Sequence, residues 1–199
     1  FTYIKNGEEM VSGLKLFDLN GKTALITGSS QGIGYALAKG LAEAGSDIIL
    51  NGRNIEKLNQ SAESINTKQK IFQLCFDVTD YEQTKQNIDK FEKEIRPIDI
   101  LINNAGMQFR TPLEDFPPEK FEQLLKTNVS SVFNVSQVVA KYMIKRREGK
   151  IINIASVQTS LARPGIAPYT ATKGAVGNIT KGMATDWAKY GIQCNAIAP

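Results

Sequence analysis

Thr27-Gly28-Ser29-Ser30-Gln31-Gly32-Ile33-Gly34 joins a short apolar run, residues 23–27, to a stretch of helical periodicity over residues 33–44. Glycines let a backbone turn sharply and approach an anion closely. The helix opening behind them offers its N-terminal N–H groups to a pyrophosphate. The spacing is G-x3-G-x-G, not the commoner G-x-G-x-x-G. A plain tight strand-to-helix turn could use the same residues. Its place at the first strand–helix junction of a βαβ unit favours a dinucleotide site, with Gly28, Ser30, Gln31, Gly32, Ile33 and Gly34 as its wall.

The chain continues in the same alternation. Strand patterns at residues 48–50, 71–76, 98–102, 150–155 and 192–197 are separated by helical patterns at 55–65, 81–94, 118–147 and 168–190. The strands barely alternate in polarity, which suits a parallel sheet covered on both faces. Repeated βα units of this length predict an α/β fold, a doubly wound parallel sheet of Rossmann-like type in a single domain over residues 17–199. Gly45 and Gly191 stand where two helices should end. Residues 1–16 lack the pattern and read as an N-terminal extension.

The second strand ends Leu50-Asn51-Gly52-Arg53. An acid at this point would hydrogen-bond a ribose 2′-hydroxyl, whereas arginine accommodates a 2′-phosphate. Gly52 occupies the acid's expected place and Arg53 follows, with Lys57 able to add to the field. A solvent-exposed arginine at a helix start is the bland alternative. The preferred cofactor is NADP, with NAD second.

Ser156, Tyr169 and Lys173 carry the spacing Ser-x12-Tyr-x3-Lys. Residues four apart share a helix face, so Tyr169 and Lys173 bring a phenol and an ammonium together. Tyr35/Lys39 and Tyr81/Lys85 match Tyr-x3-Lys equally well, but Lys22 and Lys68 stand where Tyr169 has its upstream serine. A free phenol titrates near ~10 and is a poor base at neutral pH. A cation ~4 Å away, at an effective dielectric of ~20, stabilises the phenolate by roughly 4 kcal/mol. Lys173 is placed to do so. Ser156 at a strand end can donate to a substrate oxygen as charge develops there, or it is an ordinary strand-end serine.

Composition removes rivals. The 199 residues are 42% hydrophobic and 22% charged, with net charge +4 and no histidine. Ser-His-Asp and Cys-His catalysis and histidine zinc sites are therefore unavailable, and no metal site is read. Lys145-Arg146-Arg147 reads as a solvated helix end rather than a nucleic-acid patch. No apolar run reaches the ~18 residues a membrane helix needs. Cys75 and Cys194 sit in apolar runs and read as buried reduced thiols of a cytoplasmic chain.

With residues 27–34, Asn103-Asn104-Ala105-Gly106, Asn128, Ser156, Tyr169 and Lys173 in order, the chain resembles the short-chain dehydrogenase/reductase family over about residues 17–199. Gly106-Met-Gln-Phe-Arg110, Ser156-Val-Gln158, the run from Ala162 to Lys173 and Gly182-Met-Ala-Thr-Asp-Trp187 are similar to its gluconate 5-dehydrogenase branch. The resemblance implies that Asp77 and Val78 contact adenine and that Asn104, Ala105 and Gly106 line the adenosine side. It further implies that Asn128 holds a water in a proton relay, that Lys173 bonds the nicotinamide ribose, and that Pro199 closes the cofactor set. The family pattern continues past Pro199, so its substrate-covering segment and last strand are expected to be absent from this sequence.

The implied reaction is NADP-dependent interconversion of D-gluconate and 5-keto-D-gluconate, with Tyr169 as general acid/base and Ser156 and Tyr169 on the substrate. The gluconate carboxylate asks for a cation. Arg110 is preferred over Arg163, because loops at the strands' carboxyl ends form the ligand crevice. Alternatives are another carbonyl substrate (a 3-oxoacyl thioester, a sugar or polyol ketone) or an NADP-binding regulator without turnover. Phe133, Val138, Val176, Ile179, Met183 and Trp187 exceed one sheet-facing stripe, although core packing explains most of them. The resemblance implies a homotetramer, with a homodimer next.

Overall fold

A computed structural model of the chain describes residues 16–199 and two short strands nearer the N-terminus, β1 (Ile4–Lys5) and β2 (Glu8–Glu9), which pair antiparallel. The rest of the expected extension over residues 1–16 lies outside the described residues. The apolar runs form one parallel sheet of β3 (Thr23–Ile26), β4 (Asp47–Gly52), β5 (Ile71–Cys75), β6 (Ile100–Asn103), β7 (Gly149–Ile154) and β8 (Ile192–Ile197). Their order in space is β5-β4-β3-β6-β7-β8. The chain runs outward from β3 to β5, then returns to the other side of β3 and runs out to β8. β3 and β6 thus flank the point where connections leave in opposite directions, where open α/β sheets bind their ligands.

Among the described residues six α-helices connect or flank these strands: α1 (Gly32–Glu43), α2 (Ile55–Ser64), α3 (Tyr81–Glu94), α4 (Pro118–Leu125), α5 (Ser131–Arg146) and α6 (Ala167–Trp187). The period of two along a strand assigns each helix to a face. Ala24, Ile26, Ile48, Leu50, Ile100 and Ile102 pack with Ala38 and Ala42 of α1 and Leu58 of α2. Leu25, Ile49, Leu101 and Ile151 turn the other way, onto Phe91 of α3, Val139 and Met143 of α5 and Met183 of α6. Both faces are covered, so every residue of β3 and β6 is buried. Truncating a fully buried leucine such as Leu25 to alanine would cost about 2–5 kcal/mol.

Local chemistry sets the helix ends. Asn54 accepts from the Lys57 N–H at 2.8 Å and Asp80 from the Gln83 N–H at 3.0 Å, each satisfying a first-turn donor. Gly45 and Gly191 take φ +100° and +76° just past helical segments, as their positions in the sequence imply. Lys145 and Arg146 close α5. Arg146 leaves the solvent to pair with Glu92 at 2.7 Å and to donate to the Ile98 carbonyl at 2.9 Å.

Three expectations are corrected. The long helix over 118–147 is interrupted by a π-helical turn, Lys126–Ser130, between α4 and α5. The strand read at 98–102 starts at Ile100, because the Ile98 N–H is taken by Glu92 and its carbonyl by Arg146. Cys75 is exposed, not buried, since it ends β5, the edge strand; Cys194 is buried as read. Val138, Val176 and Met183 belong to the core, while Phe133 stays exposed. No helix among the described residues is long and apolar enough to cross a membrane.

Candidate active site

The glycine loop is locked onto the end of β6. Thr27 Oγ1 accepts from the N–H groups of Asn104 and Ala105, both at 3.0 Å. The Asn104 amide returns two bonds, to the carbonyls of Thr27 at 2.9 Å and Gly28 at 3.1 Å. Gly28 has φ +62°, and a Cβ there would lie 2.9 Å from Ala105 Cα. At Gly34 a Cβ would lie 2.5 Å from Asn104 Nδ2. Both glycines are needed because residues 27–34 and 103–106 interlock across the β3–β6 junction.

Asn51, which the sequence reading passed over, holds the other side. It is buried at the end of β4. Its Oδ1 accepts from the Gly28 N–H at 3.3 Å, and its Nδ2 donates to the carbonyls of Leu74 at 3.0 Å and Phe76 at 3.2 Å. One side chain thus joins the loop to the carboxyl end of β5. A polar residue inside the apolar run before Gly52 was the available signal.

These contacts frame a cleft of about 870 Å³ above the strand ends. Gly28, Ser30, Gln31, Gly32, Ile33, Arg53, Asp77, Val78, Asn104, Ala105 and Gly106 line it. Gly34 is buried beneath it, against Asn104. Gln123, Lys126 and Thr127, from α4 and the π-helical turn, also line it and were not foreseen. A smaller cleft of about 300 Å³ contains Ser156, Tyr169, Lys173 and Pro199 and shares Ile33, Asn104, Gly106 and Met107 with the larger one. The two spaces therefore adjoin.

A dinucleotide fits the residues present. No side chain caps the N-terminus of α1, and no acid stands in its first turn, so an anion meets donors without a competing carboxylate. Arg53 is 79% exposed with its Nη1 3.8 Å from Asp77 Oδ2, a weak pairing that leaves the guanidinium open to a phosphate.

Ser156 follows β7, while Tyr169 and Lys173 lie in the first turns of α6, whose start is fixed by Pro168. Lys173 is 7% exposed, and burial lowers its pKa from 10.5 to about 8. Its Nζ donates to the Ile154 carbonyl at 2.7 Å. It also stands 5.7 Å from the centre of the Tyr169 ring. Asn128 sits in the π-helical turn and is buried. Its Oδ1 accepts from the Met107 N–H at 2.8 Å, and its Nδ2 donates to the Met107 carbonyl at 2.9 Å and Thr172 Oγ1 at 3.1 Å. Thr172 donates onward to the Tyr169 carbonyl at 2.7 Å. Asn128 thereby ties the floor of the cleft to the helix that carries Tyr169.

The competing pairs are occupied elsewhere. Tyr35 bonds Ser64 at 2.8 Å, Tyr81 donates to Gln137 at 3.1 Å, and Lys85 pairs with Asp89 at 3.0 Å. Arg110 and Arg163 are both exposed and line neither cleft. A Cβ at Gly165 would touch Arg110 Cγ at 3.4 Å, and the Thr111 N–H bonds the Gly165 carbonyl at 3.2 Å. Arg110 therefore lies against the loop that leads into α6. Gln108, two residues before it, does line the smaller cleft.

A family model described as short chain dehydrogenase matches residues 22–199. The chain belongs to the short-chain dehydrogenases. This short-chain dehydrogenase is 54% identical over 185 residues to gluconate 5-dehydrogenase of Gluconobacter oxydans (strain 621H), covering 92% of this chain and 72% of the relative. It is 43% identical over 185 residues to 5-keto-D-gluconate 5-reductase of Escherichia coli (strain K12), covering 92% and 73%. Among solved structures, a gluconate 5-dehydrogenase from Burkholderia cenocepacia J2315 in complex with NADP and tartrate superposes with a TM-score of 0.91 at 52% identity, covering 94% of this chain and 74% of that one.

Proposed function

We propose that this dehydrogenase interconverts D-gluconate and 5-keto-D-gluconate with NADP. One observation carries the reading. Ser156, Tyr169 and Lys173 line a cleft that adjoins the glycine-loop cleft, which has Arg53 in its wall. The relatives of this chain named for gluconate chemistry, and the related enzyme crystallised with NADP, support the same choice.

Gly28, Ser30, Gln31, Gly32 and Ile33 would hold the pyrophosphate, Arg53 the 2′-phosphate, and Asp77 and Val78 the adenine. The cofactor, when bound, would supply the hydride to the carbonyl carbon in its reduced form and accept it from the alcohol carbon in its oxidised form. Tyr169 donates its phenolic proton to the carbonyl oxygen, or takes the hydroxyl proton in the reverse direction. Ser156 donates a hydrogen bond to that same oxygen as negative charge grows on it. Lys173, anchored on Ile154, holds positive charge beside the phenol. Asn128 fixes the first turns of α6 through Thr172 and Met107, and in this reading holds the relay water.

The substrate carboxylate is assigned to Arg110, which lies beside the loop leading to Tyr169, and Gln108 stands on the cleft wall nearby. The exposed apolar side chains Phe121, Leu125 and Phe133 on α4 and α5 support a homotetramer, with a homodimer as the smaller form. Cytoplasmic residence is part of the reading, since Cys75 and Cys194 are both free thiols.

The deciding experiment follows NADPH absorbance with 5-keto-D-gluconate, acetoacetyl thioester and no ketone. Oxidation with the keto acid, lost in Tyr169→Phe, is the expected result. Oxidation with the thioester alone would reassign the substrate, and tight NADPH binding without oxidation would make the protein a cofactor-binding regulator. Arg110→Ala should raise KM for gluconate more than it weakens NADP binding; an unchanged KM removes Arg110 from the site.

A further inference from the structure

Ser156 and Lys173 come from different elements, yet one side chain between them touches the backbone of both. Thr159 lies in a short 3-10 turn, Val157–Thr159, after Ser156. Its Oγ1 accepts from the Ser156 N–H at 3.4 Å and donates to the Lys173 carbonyl at 3.2 Å. A hydroxyl is suited to this because it can donate and accept at once.

This contact needs α6 to come close. At Gly177, one helical turn beyond Lys173, a Cβ would lie 2.6 Å from Thr159 Cγ2. That is a hard clash, and it involves only the threonine methyl; the same Cβ would stand 3.9 Å from Thr159 Cβ, an ordinary contact. Gly177 has no positive φ to explain its presence, so packing against Thr159 is its structural use. The methyl and the missing side chain fit each other, and the hydroxyl then reaches the Lys173 carbonyl. Lys173 returns its own bond to Ile154, two residues before Ser156. The strand end and the helix are therefore tied from both sides.

We infer that Thr159, seated against Gly177, is a positioning residue that sets the separation of Ser156 from Lys173 and Tyr169. It touches no substrate; it acts through the backbone of Ser156, which donates to the reacting oxygen, and of Lys173, which stands beside the Tyr169 phenol. The inference rests on the proposed reaction only for its kinetic readout. A shift of about 1 Å in a reacting group costs up to a hundredfold in rate, so small changes here should be visible.

Four variants test it: Thr159→Val, which keeps the shape and loses the hydroxyl; Thr159→Ser, which keeps the hydroxyl and loses the methyl; Gly177→Ala; and Thr159→Ser with Gly177→Ala. Thr159→Val should lower kcat for reduction of 5-keto-D-gluconate about ten- to a hundredfold, with KM and NADPH binding little changed. Thr159→Ser should retain most of the activity. Gly177→Ala should fall like Thr159→Val, and adding Thr159→Ser should restore it, because the serine lacks the methyl that the new Cβ strikes. A second readout needs no turnover. The pH dependence of amine modification at Lys173, followed by mass spectrometry, should move upward from about 8 toward the ordinary lysine value in Thr159→Val but not in Thr159→Ser. Wild-type kinetics and an unmoved Lys173 profile in Thr159→Val would overturn the inference, as would a double variant no better than Gly177→Ala. If the wild type fails to reduce the keto acid, the substrate reading falls, and the Lys173 profile still decides the role of Thr159.

Discussion

Lys173 Nζ donates to the carbonyl oxygen of Ile154 at 2.7 Å, and no carboxylate contributes to its pKa shift. Burial is the cause, and it places the folded pKa at about 8 against 10.5 in the open chain. Between those values the unfolded chain binds the extra proton, so stability rises with pH through the window. Below the folded value both states are protonated and the burial penalty is fully present. The span corresponds to about 3 kcal/mol. Cys194 opposes it at higher pH, because burial raises that thiol from 9.0 to about 11. The clean interval therefore lies near pH 8–9. Urea midpoints should rise across it in the wild type and rise less in Lys173→Met. Equal slopes would place the lysine in water.

Gly28→Ala tests the interlocked loops. The new Cβ meets Ala105 Cα at 2.9 Å in a backbone with φ +62°, so strain and clash act together. NADPH affinity should fall at least about tenfold, because a displaced loop misaligns donors that act as a set. Thermal stability should fall as well, since Thr27, Asn104 and Ala105 share the same bonds. Fluorescence titration with NADPH checks the first, and unchanged affinity would mean that the loop does not hold the phosphates.

Much of this arrangement was legible in the residues, and the reasons differ by element. Strands β3, β4 and β6 show as apolar runs because both faces of the sheet are covered, and Gly45 and Gly191 mark helix ends because only glycine is at ease at their φ. The π-helical turn was invisible. It adds a residue to one turn without changing composition, and the slip of the apolar face that this causes is too local to end the helical pattern on either side. Asn51 was missed because its partners are backbone atoms more than twenty residues away, and Thr159 and Thr172 because each joins a near neighbour to a distant element, Lys173 and Asn128, with no spacing to read. Cys75 was misread because a sequence does not say which strand lies at the edge.

Arg53→Ala should separate the two nicotinamide cofactors. A charge-assisted bond to phosphate contributes about 1.5–3 kcal/mol, toward the lower figure at so exposed a side chain. NADP affinity should therefore fall about tenfold while NAD affinity stays within about twofold of the wild type. Calorimetric titration of both cofactors decides it. Equal losses would show that Arg53 senses the pyrophosphate or the fold rather than the 2′-phosphate.

Thiol labelling should see one cysteine. Cys75 is exposed on the edge strand, while Cys194 is buried between the sheet and α6, with its thiol pKa raised to about 11. A maleimide at neutral pH should modify Cys75 quickly in the native protein and Cys194 only after denaturation. Mass spectrometry of digested samples distinguishes them. Rapid native labelling of Cys194 would mean that β8 opens on the timescale of the reaction.

Asn51→Leu should be the most destabilising change near the cleft that touches no ligand-holding side chain. The substitution keeps roughly the volume but removes the acceptor for Gly28 and the donor shared by Leu74 and Phe76. Leaving buried backbone groups without partners costs about 1–3 kcal/mol each, least at Gly28, which lies on the cleft wall. A net loss of about 2–4 kcal/mol is expected from urea unfolding. Asn51→Asp should recover the Gly28 acceptor, lose the bonds to Leu74 and Phe76, and add a buried charge. It should therefore be no more stable than Asn51→Leu. An aspartate variant as stable as the wild type would show that only the bond to Gly28 matters, and that the tie to β5 contributes nothing.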